Sequence, residues 1–156
     1  MNHRIAAGMF IVHDERILMV RHRIIGQYDL WVPPGGGVQG LETLEEAARR
    51  EVLEETGIRA EAERLMYIEE FMLAGNRECK FWFLGRFIDG TLNTSAPEAQ
   101  NEHIVEAAWL HRNELLEREV FPRFLPEKFW QDLEVNVIAP QYCGFRKNET
   151  IATDLA

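Results

Sequence analysis

The chain has 156 residues, a formal net charge of −9 at pH 7 and 46% hydrophobic residues. That apolar content suits one folded domain with a substantial core and excludes a disordered chain. The acidic balance argues against a nucleic-acid polymer or an anionic membrane as partner, because phosphate contacts need clustered Lys and Arg. A small polyphosphate held through metal ions stays open. The longest apolar runs fall far short of a membrane span, and the N-terminus lacks a signal-peptide pattern. Cys79 and Cys143 are too few and too far apart for a disulfide scaffold or a zinc site, so a reduced, cytoplasmic setting is expected.

In chain order, residues 4–12 form a β-prone run, and His13-Asp14-Glu15-Arg16 turns it into a second strand, Ile17 to Arg21. Residues 22–30 read as loop, and Trp31-Val32 as a short strand. The run Pro33-Pro34-Gly35-Gly36-Gly37 cannot be helix and is poor strand, so it is expected as a loop whose bare backbone can approach a ligand closely. A helix follows. Thr43 and Glu46 form a capping box at its start, and Gly57 suits the left-handed position just past its end. Residues 60–73 mix strand-formers with polar positions, and Gly75-Asn76 turns them into Glu78 to Asp89. That segment alternates, with Phe81, Phe83 and Phe87 on one side and Lys80, Trp82 and Arg86 on the other. Residues 90–103 read as a polar loop and Val105 to Leu110 as a strand. Short helices are expected around Asn113 to Leu116 and Pro126 to Leu133. Residues 1–140 are read as one domain and 141–156 as a tail, partly disordered. Strands on both sides of a central helix, with another helix near the C-terminus, predict an α+β fold: an αβα sandwich around a mixed β-sheet.

The central helix carries the chemistry. At about 100° per residue, Glu51, Glu54 and Glu55 share one arc, and Leu44, Ala47 and Ala48 point into the same sector one or two turns earlier. The inward face therefore ends in three acids, while Glu45, Glu46, Arg49 and Arg50 occupy the side that looks solvated. Acids this close repel one another, so a cation should sit among them; hard oxygen ligands suit Mg²⁺, with Mn²⁺ as substitute.

The segment from Gly36 to Ile58 resembles the signature of the Nudix hydrolases, G-x5-E-x7-R-E-U-x-E-E-x-G-U with U a bulky aliphatic residue. Gly36, Glu42, Arg50, Glu51, Val52, Glu54, Glu55, Gly57 and Ile58 fill every fixed position. The flanking strands extend the resemblance to roughly residues 3–135. It implies the Nudix fold and Mg²⁺-dependent cleavage of a pyrophosphate bond in a nucleoside di- or triphosphate derivative. By the same resemblance Glu51, Glu54 and Glu55, with the Gly35 carbonyl, hold the metal, and Glu42 and Arg50 shape the site. Arg50 is expected to orient a glutamate; an ordinary i,i+4 surface pair with Glu54 is the alternative. The general base is expected in the loop before the strand at 105–110, where Glu98, Glu102 and Glu106 are candidates. Glu102 is chosen because Glu98 lies further back after a proline and Glu106 lies within the strand. Glu54 or Glu55 acting through a bound water is the fallback.

Outside the motif, Arg21, His22 and Arg23 form a short basic cluster expected to meet terminal phosphates or a carboxylate, with a solvated strand end as the alternative. Tyr28, Trp31, Phe10 and Trp82 are candidates for stacking on a base. The marks of the ADP-ribose, dinucleoside-polyphosphate, coenzyme A and NADH subgroups are not visible, so the nucleotide is left unnamed. Two readings from other classes remain. One is a catalytically silent nucleotide sensor, which loss of a motif acid would favour. The other is an isomerase of the same superfamily using a cysteine, against which Cys79 is read as lying on the outward side of its strand. Homodimerisation is expected as the family's habit. Phe121, Phe124, Phe129 and Trp130 serve either as an interface or as a helix packed on its own sheet, and the same segment is expected to cover Leu53.

Overall fold

A computed structural model describes residues 1–147. The long strands are β1 (His3–His13), β2 (Arg16–Ile24), β5 (Ile58–Leu73) and β6 (Asn76–Gly90). Shorter ones are β3 (Tyr28–Val32), β4 (Gly35–Gly37), β7 (Ile104–His111) and β8 (Gln141–Arg146). The main path runs β3-β2-β1-β6-β5-β8, with β4 on β1 and β7 on β2. Pairs β1/β6 and β5/β8 are parallel and the others antiparallel, so the sheet is mixed, as expected.

β1 is buried from Ala6 to Ile11 because both sheet faces are covered, and its alternation sorts the core into two halves. Ala7, Met9 and Ile11 meet Ala47, Ala48 and Val52 of helix α1 (Leu44–Thr56) together with Phe83. Phe10 points the other way, into Tyr67, Trp82, Phe129 and Trp130. Its ring lies 4.9 Å from Trp82 and 4.9 Å edge-on from Phe129. Burying a side chain of that size contributes about 1.5–3 kcal/mol. The two packed faces make the αβα sandwich.

Phe129 and Trp130 are thus part of the chain's own core. They sit where a π-helical turn (Leu125–Phe129) passes into helix α4 (Trp130–Glu134), on the face opposite α1. Leu53 is not covered by that segment and stays 48% exposed.

Several local expectations are corrected. Residues 22–30 are not loop: β2 runs on to Ile24 and hairpins into β3, with Arg23 facing Asp29 and His22 facing Leu30. The alternation is carried there by His22 and Tyr28, buried residues that hydropathy alone does not mark. Gly35–Gly37 is a short strand on Ala6–Gly8 rather than loop. Glycine suits it because the backbones approach so closely that a Cβ on Gly35 would lie 2.7 Å from Gly8 Cα. Within residues 90–103, Pro97–Asn101 forms a one-turn helix, α2, with the proline at its start. The short helix expected around Asn113 to Leu116 is present as α3, Arg112–Leu115. Cys79 shares the alternation of Phe81 and Phe83 instead of facing outward, and is half-buried between Ile5 and Glu70.

The expected tail begins with β8, so residues 141–146 belong to the sheet. Asp132 of α4 helps hold them there, accepting from Gln141 at 3.0 Å, from the Tyr67 hydroxyl at 2.6 Å and from Lys128 at 2.7 Å. The remainder of that tail, 148–156, lies outside the described residues. No described helix is long and apolar enough to cross a membrane.

Candidate active site

Local chemistry sets the helix ends. The Thr43 hydroxyl accepts from Glu46 N–H at 3.2 Å, and Glu46 answers by accepting from Thr43 N–H at 2.7 Å. Gly57, with φ 76°, ends the helix through an N–H bond to the Leu53 carbonyl. The face bearing Ala47, Ala48 and Val52 is sealed on the sheet, and Glu51 and Glu55 continue it at 5% and 1% exposure. Glu54 sits at the rim, half-buried.

β4 lies against these acids. Gly35 N–H donates to Glu55 Oε1 at 2.9 Å. A Cβ on Gly36 would lie 2.6 Å from the Glu51 carboxylate, so only glycine lets that acid take its place.

Arg50 departs from the helical-wheel expectation of a solvated position. Its guanidinium folds back to donate to Glu42 Oε1 and Oε2 at 2.7 and 3.0 Å. It also donates to Glu51 at 2.8 Å, to Glu54 at 3.0 Å and to the Gly37 carbonyl at 2.9 Å. The bond to Glu42, assisted by Glu51 and Glu54, outweighs desolvation and holds Arg50 charged, and the same bond pulls the Glu42 carboxyl below its usual range. The i,i+4 pair with Glu54 exists, but as one bond of this network.

Glu54, Glu55 and Glu102 are pushed the other way. Burial, then the charges of Glu102 and Glu51, raise Glu55 well above the usual carboxyl range, against Gly35 N–H and Lys80. Burial and the Glu51 charge raise Glu102; burial also raises Glu54 in spite of Arg50. Glu102 is exposed as a residue, yet its carboxylate turns inward. Ligand atoms of His22, Glu55 and Glu102 lie within 4.8 Å of one another. The second oxygen of Glu55, Oε2, is buried without a hydrogen-bond partner. An orphaned carboxylate oxygen among further acids fits a hard divalent cation, since a buried polar group otherwise costs free energy unpaired.

Of the expected site residues, the structure brings together Gly35, Glu42, Arg50, Glu51, Glu54, Glu55 and Glu102. Tyr28 lines the adjoining cavity, but Arg21 and Arg23 do not. Arg21 is gripped by Asp29 at 2.7 Å and also reaches Glu106 at 3.3 Å, while Arg23 lies 3.7 Å from Asp29. Among the proposed stacking residues, Trp82 lines the cavity, whereas Phe10 and Trp31 are core.

His22 belongs to the expected basic cluster but parts from its two arginines, and Lys80 was missed. His22 sits between those arginines on the opposite face of β2. Burial lowers its pKa to about 4, so the ring is neutral at pH 7. Its Nδ1 lies 3.0 Å from the Glu102 carbonyl, which can only accept, so Nδ1 carries the proton and Nε2 keeps its lone pair. Lys80 on β6 is 9% exposed, with Nζ 4.3 Å from the Trp82 ring centroid. Its place on the strand's alternation was legible; that the face turns into a cavity was not.

That cavity runs from Gly35, Gly36 and Glu102 to an apolar end with Trp82, Phe71 and Phe121. At that end Glu69 accepts from Trp82 Nε1 at 2.7 Å and pairs with Arg146 of β8 at 2.9 Å.

A mixed-sheet sandwich whose central helix aims a carboxylate cluster at a glycine strand is the Nudix fold. Residues 2–128 match the NUDIX domain, and the chain belongs to the NUDIX hydrolase family. It is 33% identical over 111 residues to the human protein named 8-oxo-dGDP phosphatase NUDT18, covering 71% of this chain and 33% of that one. It is 37% identical over 62 residues to the Escherichia coli protein named phosphatase NudJ, covering 40% of each. The chain thus spans about a third of the length of the NUDT18 relatives it matches. A NUDIX hydrolase from Nitrosomonas europaea shares the fold with TM-score 0.72 at 24% identity, over 89% of this chain and 93% of that one.

Proposed function

We propose that this chain is a Mg²⁺-dependent hydrolase that cleaves a pyrophosphate bond in a nucleoside di- or triphosphate derivative. The observation that carries the reading is the orphaned Oε2 of Glu55 beside Glu51 and Glu102. Glu51, Glu54 and Glu55, with the Gly35 carbonyl, are the residues that would hold the metal, and Mn²⁺ suits the same oxygen set. When bound, the cation neutralises phosphate charge and acidifies water.

The side chains supply the rest. Arg50 fixes Glu51 and Glu54 and ties them to Glu42 and the Gly37 carbonyl, so the acids keep one arrangement as charge enters and leaves. The Glu102 carboxylate, made more basic by burial and the Glu51 charge, accepts the proton of the attacking water as general base. His22 holds the segment bearing Glu102 through its backbone carbonyl. Phe71, Phe121 and the edge of Tyr28 offer apolar surface to a nucleobase within the cavity. The names of the NUDT18 relatives favour a guanine nucleoside diphosphate as the first compound to try.

The test is formation of the mononucleotide, followed by chromatography with Mg²⁺ present, from a panel comprising GDP, 8-oxo-dGDP, nucleoside triphosphates, nucleotide sugars and ADP-ribose. Wild type is compared with Glu55→Gln, which keeps the shape and removes the charge. Turnover of one class that falls at least about a hundredfold in the variant is the expected result. Metal-dependent binding with no turnover of any compound would replace the hydrolase with a sensor.

A further inference from the structure

The cavity holds three cations, and two are already matched. Arg4 pairs with Glu78 at 3.2 Å, and Arg146 pairs with Glu69 at 2.9 Å. Lys80 differs. Among the described residues no carboxylate lies within 4.0 Å of its ammonium, and no acceptor is within hydrogen-bond reach. At 9% exposure its ammonium meets the face of Trp82 and keeps its hydrogen-bond donors for a ligand in the cavity.

Its position says what. Lys80 lies mid-sheet on β6, facing Ala6 of β1 on one side and Glu69 of β5 on the other, so its Cα is rigidly placed. The stem passes the glycine strand, with Cε 3.2 Å from where a Gly35 Cβ would stand. The ammonium ends over Trp82. From there its charge acts on Glu55, Glu102 and His22. Lys80 is thus the cation between the acid cluster and the aromatic end of the cavity.

We infer that Lys80 is a substrate-binding residue that holds the phosphate nearest the nucleoside. This rests on the hydrolase reading above for the orientation of the substrate. A nucleotide whose base lies against Phe71 of β5 and whose scissile bond reaches the acids beside β4 carries its first phosphate across β6, where this ammonium stands. The compact charge of lysine, with three donors, suits a phosphate that meets it from one side. A purely structural lysine would do no more than offset Glu55 and Glu102, and would be indifferent to whether the ligand carries a phosphate.

The experiment separates these roles without turnover. Calorimetry in EDTA measures GMP and guanosine binding to wild type, Lys80→Met and Lys80→Arg, with melting temperatures as the folding control. Wild type is expected to prefer GMP over guanosine by about tenfold or more, as a charge-assisted hydrogen bond supplies. Lys80→Met should bring the two affinities together while leaving guanosine binding within about twofold, and Lys80→Arg should restore part of the difference. With Mg²⁺ and whichever compound of the panel is turned over, Lys80→Met should raise KM by about tenfold. Equal wild-type affinities for GMP and guanosine, or no binding of either, would overturn the inference even if no variant folds. So would a preference that survives in Lys80→Met. A wild type that prefers GMP but hydrolyses nothing would instead defeat the hydrolase reading and leave the Lys80 site standing.

Discussion

Replacing Arg50 with methionine keeps the length of the stem and removes every polar contact of the guanidinium. Lost are two bonds to Glu42, one each to Glu51 and Glu54, and one to the Gly37 carbonyl. Breaking a fully buried ion pair from one side costs about 3–5 kcal/mol. Arg50 is 22% exposed and Glu54 24%, so water and ions recover part of that loss. Glu51, at 7% side-chain exposure, recovers little. A destabilisation of about 2–4 kcal/mol is therefore expected for the metal-free protein, read from urea unfolding at pH 7.5 in EDTA at constant slope. Mg²⁺ at saturating concentration should narrow the gap between variant and wild type, because a cation bound to the acids replaces part of the lost positive charge. A loss below about 0.5 kcal/mol in EDTA would show that the network is an ordinary surface cluster and refute the reasoning.

The close approach of Gly36 to Glu51 makes Gly36→Ala a test of placement: it should cut hydrolysis at least about tenfold, and unchanged kcat/KM would contradict it. Arg21→Ala should leave KM within about twofold, since Asp29 and Glu106 already engage that side chain outside the cavity; a tenfold rise in KM would return it to the site. Burial pushes the Asp132 carboxyl up, but bonds from Lys128, Tyr67 and Gln141 outweigh it and hold the group below its usual range. A depressed folded-state pKa adds stability above the unfolded value, and that stability is lost as pH falls through the folded value. The stability advantage of wild type over Asp132→Asn should therefore shrink below about pH 4 in acid-unfolding curves, and a gap independent of pH would refute it.

What the amino-acid order disclosed was local chemistry. Thr43, Glu46 and Gly57 mark both ends of α1 within a turn of the residues they cap, and the carboxylates follow by helical spacing alone. The β5–β6 hairpin was legible from Gly75-Asn76 and the alternation of Phe81 and Phe83. Three features were hidden because their cause lies far away in sequence. β4 is a strand of glycines only because Ala6–Gly8 and Lys80 press against it. The β2–β3 hairpin buries His22 and Tyr28, which become inward residues once a cavity and Glu102 are placed beside them. β8 is held by Gln141 on Asp132 and by Arg146 on Glu69, long-range pairs with no local signature. The same reason explains Arg50: the wheel placed its Cα on the outer side, but a long side chain can reach back to a loop the wheel does not contain.

The most direct test of the central claim is Mn²⁺ binding followed by electron paramagnetic resonance, with Mg²⁺ as competitor, in wild type and Glu55→Gln. The buried, half-satisfied carboxylate requires that wild type bind Mn²⁺, that Mg²⁺ displace it, and that the variant bind at least about tenfold more weakly. Equal affinity in the two proteins would remove Glu55 from the metal site and contradict the account.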